Sequence, residues 1–322
     1  MQITGAEWIV FGVEDMAECK RFCEQYGLNL VKEEPDCIRF EALDGSGLEL
    51  RHVDDPSLPP AMVPGSTARL TIWGVKDQAT LDAVREELSK DRDVTGTDLL
   101  LTTDLEGNTI GFRISQRHSF AVEPALANAP GAYARPINSR MDPNRRGPAR
   151  TLGHVVFWSN NAQAAADFYI NRLGFRFTDG SGLQPDKLHG LFLRAAGHGD
   201  HHSLFFLNSF NGKFKPSMQH VEFQSLDVDE VLARGNYLVS QGWETHMGPG
   251  KHLLGSNWSW YFYNPTGVLF EVSADMDQVD DDWVPRVVHP RENKGWEPKW
   301  IGPEMPAGPI PTPGPAPTVG EP

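Results

Sequence analysis

The chain repeats one plan four times, and this repetition constrains its fold more than any single motif does. The plan is a strand, an amphipathic helix, and then short strands separated by turn residues. Glu7-Trp8-Ile9-Val10-Phe11-Gly12-Val13 precedes a helical pattern over 15–26 and a Gly27-Leu28 exit. Residues 68–73 precede a helix over 78–88; residues 153–159 precede one over 162–172 with a Leu173-Gly174-Phe175 exit; and His220-Val221-Glu222-Phe223 precedes one over 228–241. Turn signals at Asp104-Leu105-Glu106-Gly107-Asn108, Asp179-Gly180-Ser181-Gly182 and Asn264-Pro265-Thr266-Gly267 divide the strands that follow. Each unit therefore reads as βαβββ. The expected class is α+β, with four such units paired into two similar domains, each an open barrel of mixed sheet.

The expected boundaries are 1–118 for the first pair, 119–147 for a linker rich in Pro, Ala and Arg, and 148–278 for the second pair. Residues 279–305 form an extension expected to cover an active-site mouth as a lid, anchored by Trp296 or Trp300. Residues 306–322 are a Pro/Gly tail too poor in apolar side chains to pack.

Composition narrows the function. A formal net charge of −14 over 322 residues argues against a polyanionic partner such as nucleic acid, whose phosphates need clustered Lys and Arg. The one basic concentration, residues 135–150, lies in the linker and reads as a solvated connector. No run of about 18 apolar residues occurs and the first residues lack a signal-peptide pattern, so no membrane contact and a cytoplasmic location are expected. Cys19, Cys23 and Cys37 are an odd set, expected to be free thiols.

Two histidines interrupt apolar, alternating strand patterns: His154 in Leu152-Gly153-His154-Val155-Val156-Phe157 and His220 in Met218-Gln219-His220-Val221-Glu222-Phe223. A lone strand histidine is more often a hydrogen-bonded core residue than a ligand. Here each sits in the first strand of its unit, and Glu271 sits on the last strand of the fourth, so pairing the units brings all three to one end of one cavity. Two imidazoles and a carboxylate leave three adjacent positions open on an octahedral metal, the arrangement suited to non-haem Fe(II) and O₂. Mn(II) accepts the same ligands. The first domain lacks the set, with Trp8 expected at the position of His154, Arg69 at that of His220, and no carboxylate near Gly111-Phe112-Arg113.

The run Gly250-Lys251-His252, Trp260-Tyr261, Asn264-Pro265-Thr266-Gly267, Glu271 resembles the signature of type I extradiol catechol dioxygenases, in the vicinal oxygen chelate (glyoxalase/bleomycin resistance/dioxygenase) superfamily. The likeness spans about residues 5–280 in plan and is nearest the homoprotocatechuate and catechol 2,3-dioxygenase branch. It departs at Trp260, where a smaller apolar residue is usual, at Met247, where that branch carries a substrate-binding arginine, and at Gly255, near an aspartate of some relatives. The resemblance implies a vicinal oxygen chelate fold and a small aromatic diol and O₂ as partners. The implied reaction inserts both oxygen atoms next to the diol and gives a hydroxymuconic semialdehyde-type product.

The resemblance further implies that His202 is the acid–base residue and that His252 and Tyr261 contact the catecholate; His201, one residue before His202, is expected to point the other way, outside the site. It also implies a homo-oligomer. Trp158, Phe192, His246, Met247 and Trp258 are the expected substrate-pocket residues, suited to a neutral alkyl- or aryl-substituted catechol. His246, Arg286 or Arg291 would supply the charge that Met247 lacks if the substrate is acidic. The alternatives are a glyoxalase- or epimerase-like metal enzyme and a metal-free small-molecule binder.

Overall fold

The computed structural model describes residues 1–140, 142, 145–184, 187–209 and 212–289. The first half runs β1 (Ile3–Val13), α1 (Met16–Tyr26), β2 (Asn29–Glu34), β3 (Cys37–Glu41), β4 (Gly47–His52), β5 (Thr67–Val75), α2 (Gln78–Leu88), β6 (Leu100–Thr103) and β7 (Thr109–Ile114). A small hairpin, β8 (Asn128–Ala129) and β9 (Ala132–Tyr133), lies in the connector. The second half runs β10 (Leu152–Ser159), α3 (Ala162–Leu173), β11 (Arg176–Gln184), β12 (Lys187–Arg194), β13 (Gly199–Asp200), β14 (Leu204–Asn208), β15 (Ser217–Gln224), α4 (Val228–Ser240), β16 (Thr245–Lys251), β17 (Trp258–Phe262) and β18 (Leu269–Ala274). Two short strands, β19 (Gln278–Val279) and β20 (Arg286–Val288), follow.

The four described helices begin in the same way, which is the repeat written in backbone chemistry. Asp15, Asp77, Asn161 and Asp227 each stand at the N-cap, and each side chain accepts the backbone N–H three residues on, at 2.8, 2.9, 3.1 and 2.9 Å. This satisfies a donor that the first helical turn leaves unpaired. α1 and α3 both end on a glycine in the left-handed region, Gly27 at φ 103° and Gly174 at φ 80°. An L side chain there is strained, so glycine stops the helix and turns the chain into the next strand.

Apart from the two-stranded pairs β8/β9 and β13/β19, the described strands form two mixed sheets of the expected α+β type. One has the order β2-β3-β4-β1-β5-β7-β6, the other β16-β17-β18-β15-β10-β14-β12-β11-β20. An antiparallel pair, β1/β5 or β10/β15, joins the two units of each half. The second unit is the shortest, since one strand of its three is reduced to a single bridge between Thr95 and Leu101. Aromatic packing continues between the halves: Phe22 and Tyr26 of α1 meet Phe270 at ring-centroid distances of 5.1 and 5.3 Å, and Trp73 meets Phe175 at 5.2 Å.

Strand register corrects one expectation about the first half. Val10↔Leu70 and Trp8↔Ile72 in β1/β5 correspond to Val156↔His220 and His154↔Glu222 in β10/β15. Gly111 then corresponds to Glu271, because they pair with Ile72 and Glu222 respectively. Leu70, not Arg69, therefore occupies the place of His220. A one-residue slip moves a side chain to the other face of a sheet, and Arg69 instead donates to the Pro59 carbonyl at 2.7 Å. Trp8, Val10, Leu70 and Ile72 pack together as an apolar cluster where the second half carries its polar site.

The three cysteines are free and buried. No described helix is long and apolar enough to cross a membrane. Trp296, Trp300, Arg291 and the tail 306–322 lie outside the described residues.

Candidate metal centre and active site

Sheet register builds the site. Tyr261 pairs with Glu271, Glu271 with Glu222, and Glu222 with His154, so these four side chains form one transverse row across β17, β18, β15 and β10. Residues paired in register share a face, and His220 adds to that face two positions before Glu222. His154 Nε2 lies 3.0 Å from His220 Nε2 and 3.0 Å from Glu271 Oε2, and His220 Nε2 lies 3.1 Å from the same oxygen. This is the one cluster of metal-ligand type among the described residues.

The spacing fits a particular coordination geometry. Three bonds of about 2.1 Å at right angles hold ligand atoms about 3.0 Å apart, whereas tetrahedral angles spread them to about 3.4 Å. The triad therefore matches one face of an octahedron. Glu271 Oε2 is buried with no hydrogen-bond donor of its own, while Asn257 Nδ2 donates to the other oxygen, Oε1, at 3.1 Å. An orphaned buried carboxylate oxygen facing two imidazole nitrogens is costly unless a cation is present.

The surrounding residues orient these ligands. His220 Nδ1 bonds the Gln219 side-chain oxygen, and His154 Nδ1 faces Glu222 Oε2 at 3.4 Å, so both rings turn Nε2 towards Glu271. Such outer partners fix the tautomer of a metal-binding histidine. Glu222 is fully buried and its second oxygen accepts from Ser273 Oγ. A Cβ at Gly153 would stand 2.0 Å from Glu222 Oε2, so this glycine makes room for the carboxylate beside His154.

Electrostatics follow from burial and from these contacts. Burial drives the Glu222 carboxyl up to about 8 and His220 down to about 4. Burial also opposes charge on Glu271, but the imidazoles of His154 and His220 outweigh it and hold that carboxyl well below the usual carboxylate range. His154 moves up despite burial, because Glu271 and Glu222 favour its protonated form. A cation at the triad would balance the Glu271 carboxylate that these two imidazoles face.

The triad opens into a cavity of about 180 Å³. His252 Nε2 and Tyr261 OH are 2.8 Å apart on its wall, with Tyr261 in ring contact with His220 at 5.2 Å. His202 lines the cavity with its ring centroid 4.3 Å from that of His154. Burial holds the His202 ring well below the usual histidine range, so it is neutral. Opposite lies an apolar wall of Val156, Phe192, Phe205 and Leu254, with Phe192 and Phe205 stacked 3.9 Å apart.

Of the expected pocket residues, Phe192, His246 and Met247 line this cavity, whereas Trp158 and Trp258 do not. Trp158 shares a face with His154 but lies four residues along, about 13 Å at strand rise, and past a register shift in β10 it stacks on Phe214 at 4.2 Å. Trp258 is an odd number of residues from Tyr261 and so points to the opposite face, where Lys251 lies 5.4 Å from its ring. Arg286 cannot serve the pocket, because it is paired to Asp179 at 2.8 Å. His201 is corrected in part. It points away from the cavity, yet it is fully buried and joined to His202.

Sequence reasoning missed Glu222, Gln219, Asn257 and Asp179. For Glu222 a signal existed: strand alternation puts it on the face of His220. Asn257 and Asp179 meet the site only through tertiary contacts.

Residues 151–272 match the Glyoxalase/Bleomycin resistance protein/Dioxygenase superfamily. That match falls on the half of the chain that carries the triad. Among curated relatives, Metapyrocatechase 2 of Cupriavidus necator is 29% identical over 274 residues, covering 83% of this chain and 79% of that protein. The Iron-dependent extradiol dioxygenase of Rhodococcus jostii (strain RHA1) is 25% identical over 286 residues, covering 81% and 87%. Among solved structures, the Mn(II)-bound glyoxalase from Novosphingobium aromaticivorans superposes with a TM-score of 0.71 at 21% identity, covering 98% of this chain and 97% of that one. That last likeness is one of fold. The chain is thus similar to curated proteins named a metapyrocatechase and an extradiol dioxygenase, and its triad fits a resident metal.

Proposed function

We propose that this protein is an Fe(II)-dependent extradiol dioxygenase that cleaves a substituted catechol next to its diol. The single observation carrying the reading is the geometry of His154, His220 and Glu271 at about octahedral spacing, facing the same cavity as the His252–Tyr261 pair and a neutral His202. A glyoxalase- or epimerase-like reaction would leave that combination without a task. The ligand set accepts both Fe(II) and Mn(II); the iron-dependent relative from Rhodococcus favours iron.

Bound at the triad, Fe(II) would supply adjacent open positions for a diol and O₂ and would acidify a phenol. The chain's own residues do the rest. Tyr261 OH and His252 Nε2 stand where they can hydrogen-bond the deprotonated diol oxygen and fix the ring. His202, uncharged, takes the proton of the second hydroxyl and returns it as the ring opens. The wall of Val156, Phe192, Phe205 and Leu254 excludes water from the reacting face. Among the described residues no Lys or Arg lines the cavity, and Met247 supports a neutral alkyl or aryl substituent. Both oxygen atoms enter the product, so no external reductant is needed.

The test is anaerobic loading with Fe(II), and in parallel with Mn(II), followed by air and a panel of neutral and carboxylated catechols. Expected are O₂ uptake and a yellow ring-fission product, with neutral substrates turned over best. Iron-loaded protein that consumes no O₂ with any catechol would reject the reading.

A further inference from the structure

Behind His202 lies a chain of buried polar groups that the reaction as described does not use. Asp179 is fully buried on β11, and its Oδ2 lies 3.1 Å from His201 Nε2. His201 Nδ1 lies 3.0 Å from His202 Nδ1, with the two rings nearly perpendicular at 89°. The carboxylate is itself fixed from the C-terminal side: Arg286 donates Nη2 and Nε to Oδ2 at 2.8 and 3.2 Å and its backbone N–H to Oδ1 at 2.7 Å. Trp283 Nε1 donates to the Thr178 carbonyl at 3.0 Å, which seats the indole against His201.

We infer that Asp179 and His201 are positioning residues that lock His202 in its Nδ1–H tautomer and leave Nε2 bare towards the cavity. The argument is one of hydrogen-bond polarity. An ionised carboxylate only accepts, so His201 Nε2 must carry a hydrogen. Two ring nitrogens 3.0 Å apart share one hydrogen, and with its Nε2–H given to Asp179, His201 presents Nδ1 as the acceptor. His202 Nδ1 must then be the donor. The remaining nitrogen of a neutral His202, Nε2, has no hydrogen, which is the form able to take a proton from a bound hydroxyl. Without this chain, a neutral imidazole divides between two tautomers, one of which presents an N–H.

The backbone is shaped around this pair. Gly255 sits at φ 86°, and a Cβ there would come within 3.4 Å of His201 Nδ1 and 3.5 Å of His202 Cε1. The His201 N–H donates to the Asp277 carbonyl, whose own N–H donates to the Gly255 carbonyl, each at 2.8 Å. These bonds fix the pair from both sides, so it is a built feature of the fold rather than a chance approach.

The inference rests on the catechol dioxygenase reading for its effect on rate, but its structural part is tested without turnover. In metal-free protein labelled with ¹⁵N-histidine, the His202 ring, assigned by comparison with His202→Phe, is expected to show a protonated Nδ1 and a bare Nε2. In Asp179→Leu, where no acceptor holds the hydrogen on His201 Nε2, that preference should be lost and His202 should populate both tautomers. On iron-loaded protein, Asp179→Leu and His201→Leu are expected to lower kcat by roughly 10²-fold or more with catechol KM within about threefold. His201→Asn, which restores an acceptor near the Nδ1 position, should recover kcat to within about tenfold. A His202 carrying its proton on Nε2 in the wild-type protein, or His201→Leu and His201→Asn losing kcat equally, would overturn the inference. If the wild-type protein cleaves no catechol, the function reading falls, and the ¹⁵N result still decides the tautomer.

Discussion

Glu222 Oε2 lies 3.4 Å from His154 Nδ1, and neither atom has a hydrogen-bond partner elsewhere. In the metal-loaded protein, where the cation's charge favours the ionised form of Glu222, a buried carboxylate opposite a metal-facing imidazole sets which nitrogen carries the hydrogen and strengthens the other as a ligand. Glu222→Gln keeps the volume and the contact with Ser273 but weakens that pull. Its affinity for Fe(II), measured by competition with a chelator, is expected to fall about 10–100-fold. Unchanged affinity would reduce Glu222 to a packing role.

Metal binding and proton transfer should separate by mutation. Glu271→Ala removes one of three ligands and is expected to yield protein without bound iron by metal analysis. His202→Phe touches none of the ligands, so it should retain iron and bind catechol while kcat falls about 10²–10⁴-fold. Full activity in His202→Phe would end the acid–base assignment.

Gly235 of α4 allows the unusual Trp260 to fit. A Cβ at Gly235 would stand 2.0 Å from Trp260 Cε3, and the indole is held in place by its N–H to Thr245 Oγ1 at 2.7 Å. Replacing glycine by alanine within a helix ordinarily gains about 1 kcal/mol. Here the overlap is expected to cost more, about 1–3 kcal/mol, for a net loss of stability by denaturant unfolding. Adding Trp260→Leu should restore the gain. A Gly235→Ala single variant more stable than wild type would contradict the packing seen here.

Asp104 gives a pH signature away from the active site. Burial raises its carboxyl to about 6 from an ordinary 3.8, although it accepts backbone N–H groups from Glu106 and Asn108, each at 2.9 Å. Between those two values the folded protein holds a proton that the unfolded chain releases, so this group's contribution to stability falls as pH rises from about 4 to 6. The loss is about 3 kcal/mol. Asp104→Asn should lack that slope, and the stability difference between wild type and variant across pH 4–7 measures it. Parallel stability curves would remove the buried charge as the cause.

Much of the site was legible because its chemistry is local. His154, His220 and Glu271 stand in strand patterns where a polar residue needs a reason, and the spacing from His252 to Glu271 joins Tyr261 to the carboxylate on a neighbouring strand. Trp158 and Trp258 were misplaced for different reasons. Alternation assigns a face but not a distance along the strand, and a bulge or an odd offset then carries a ring out of the pocket. His201 was misjudged because its direction away from the cavity says nothing of what it meets there.

The sequence by itself determined the repeat, its helices and turns, and the candidate ligands, since turns and hydrophobic periods are properties of neighbouring residues. Only the tertiary structure decided the register that lines Tyr261, Glu271, Glu222 and His154 in one row, and the contact of Asp179 with His201. Those depend on which strand edge meets which, and a slip of one residue, as between Arg69 and Leu70, turns a ligand position to the opposite face.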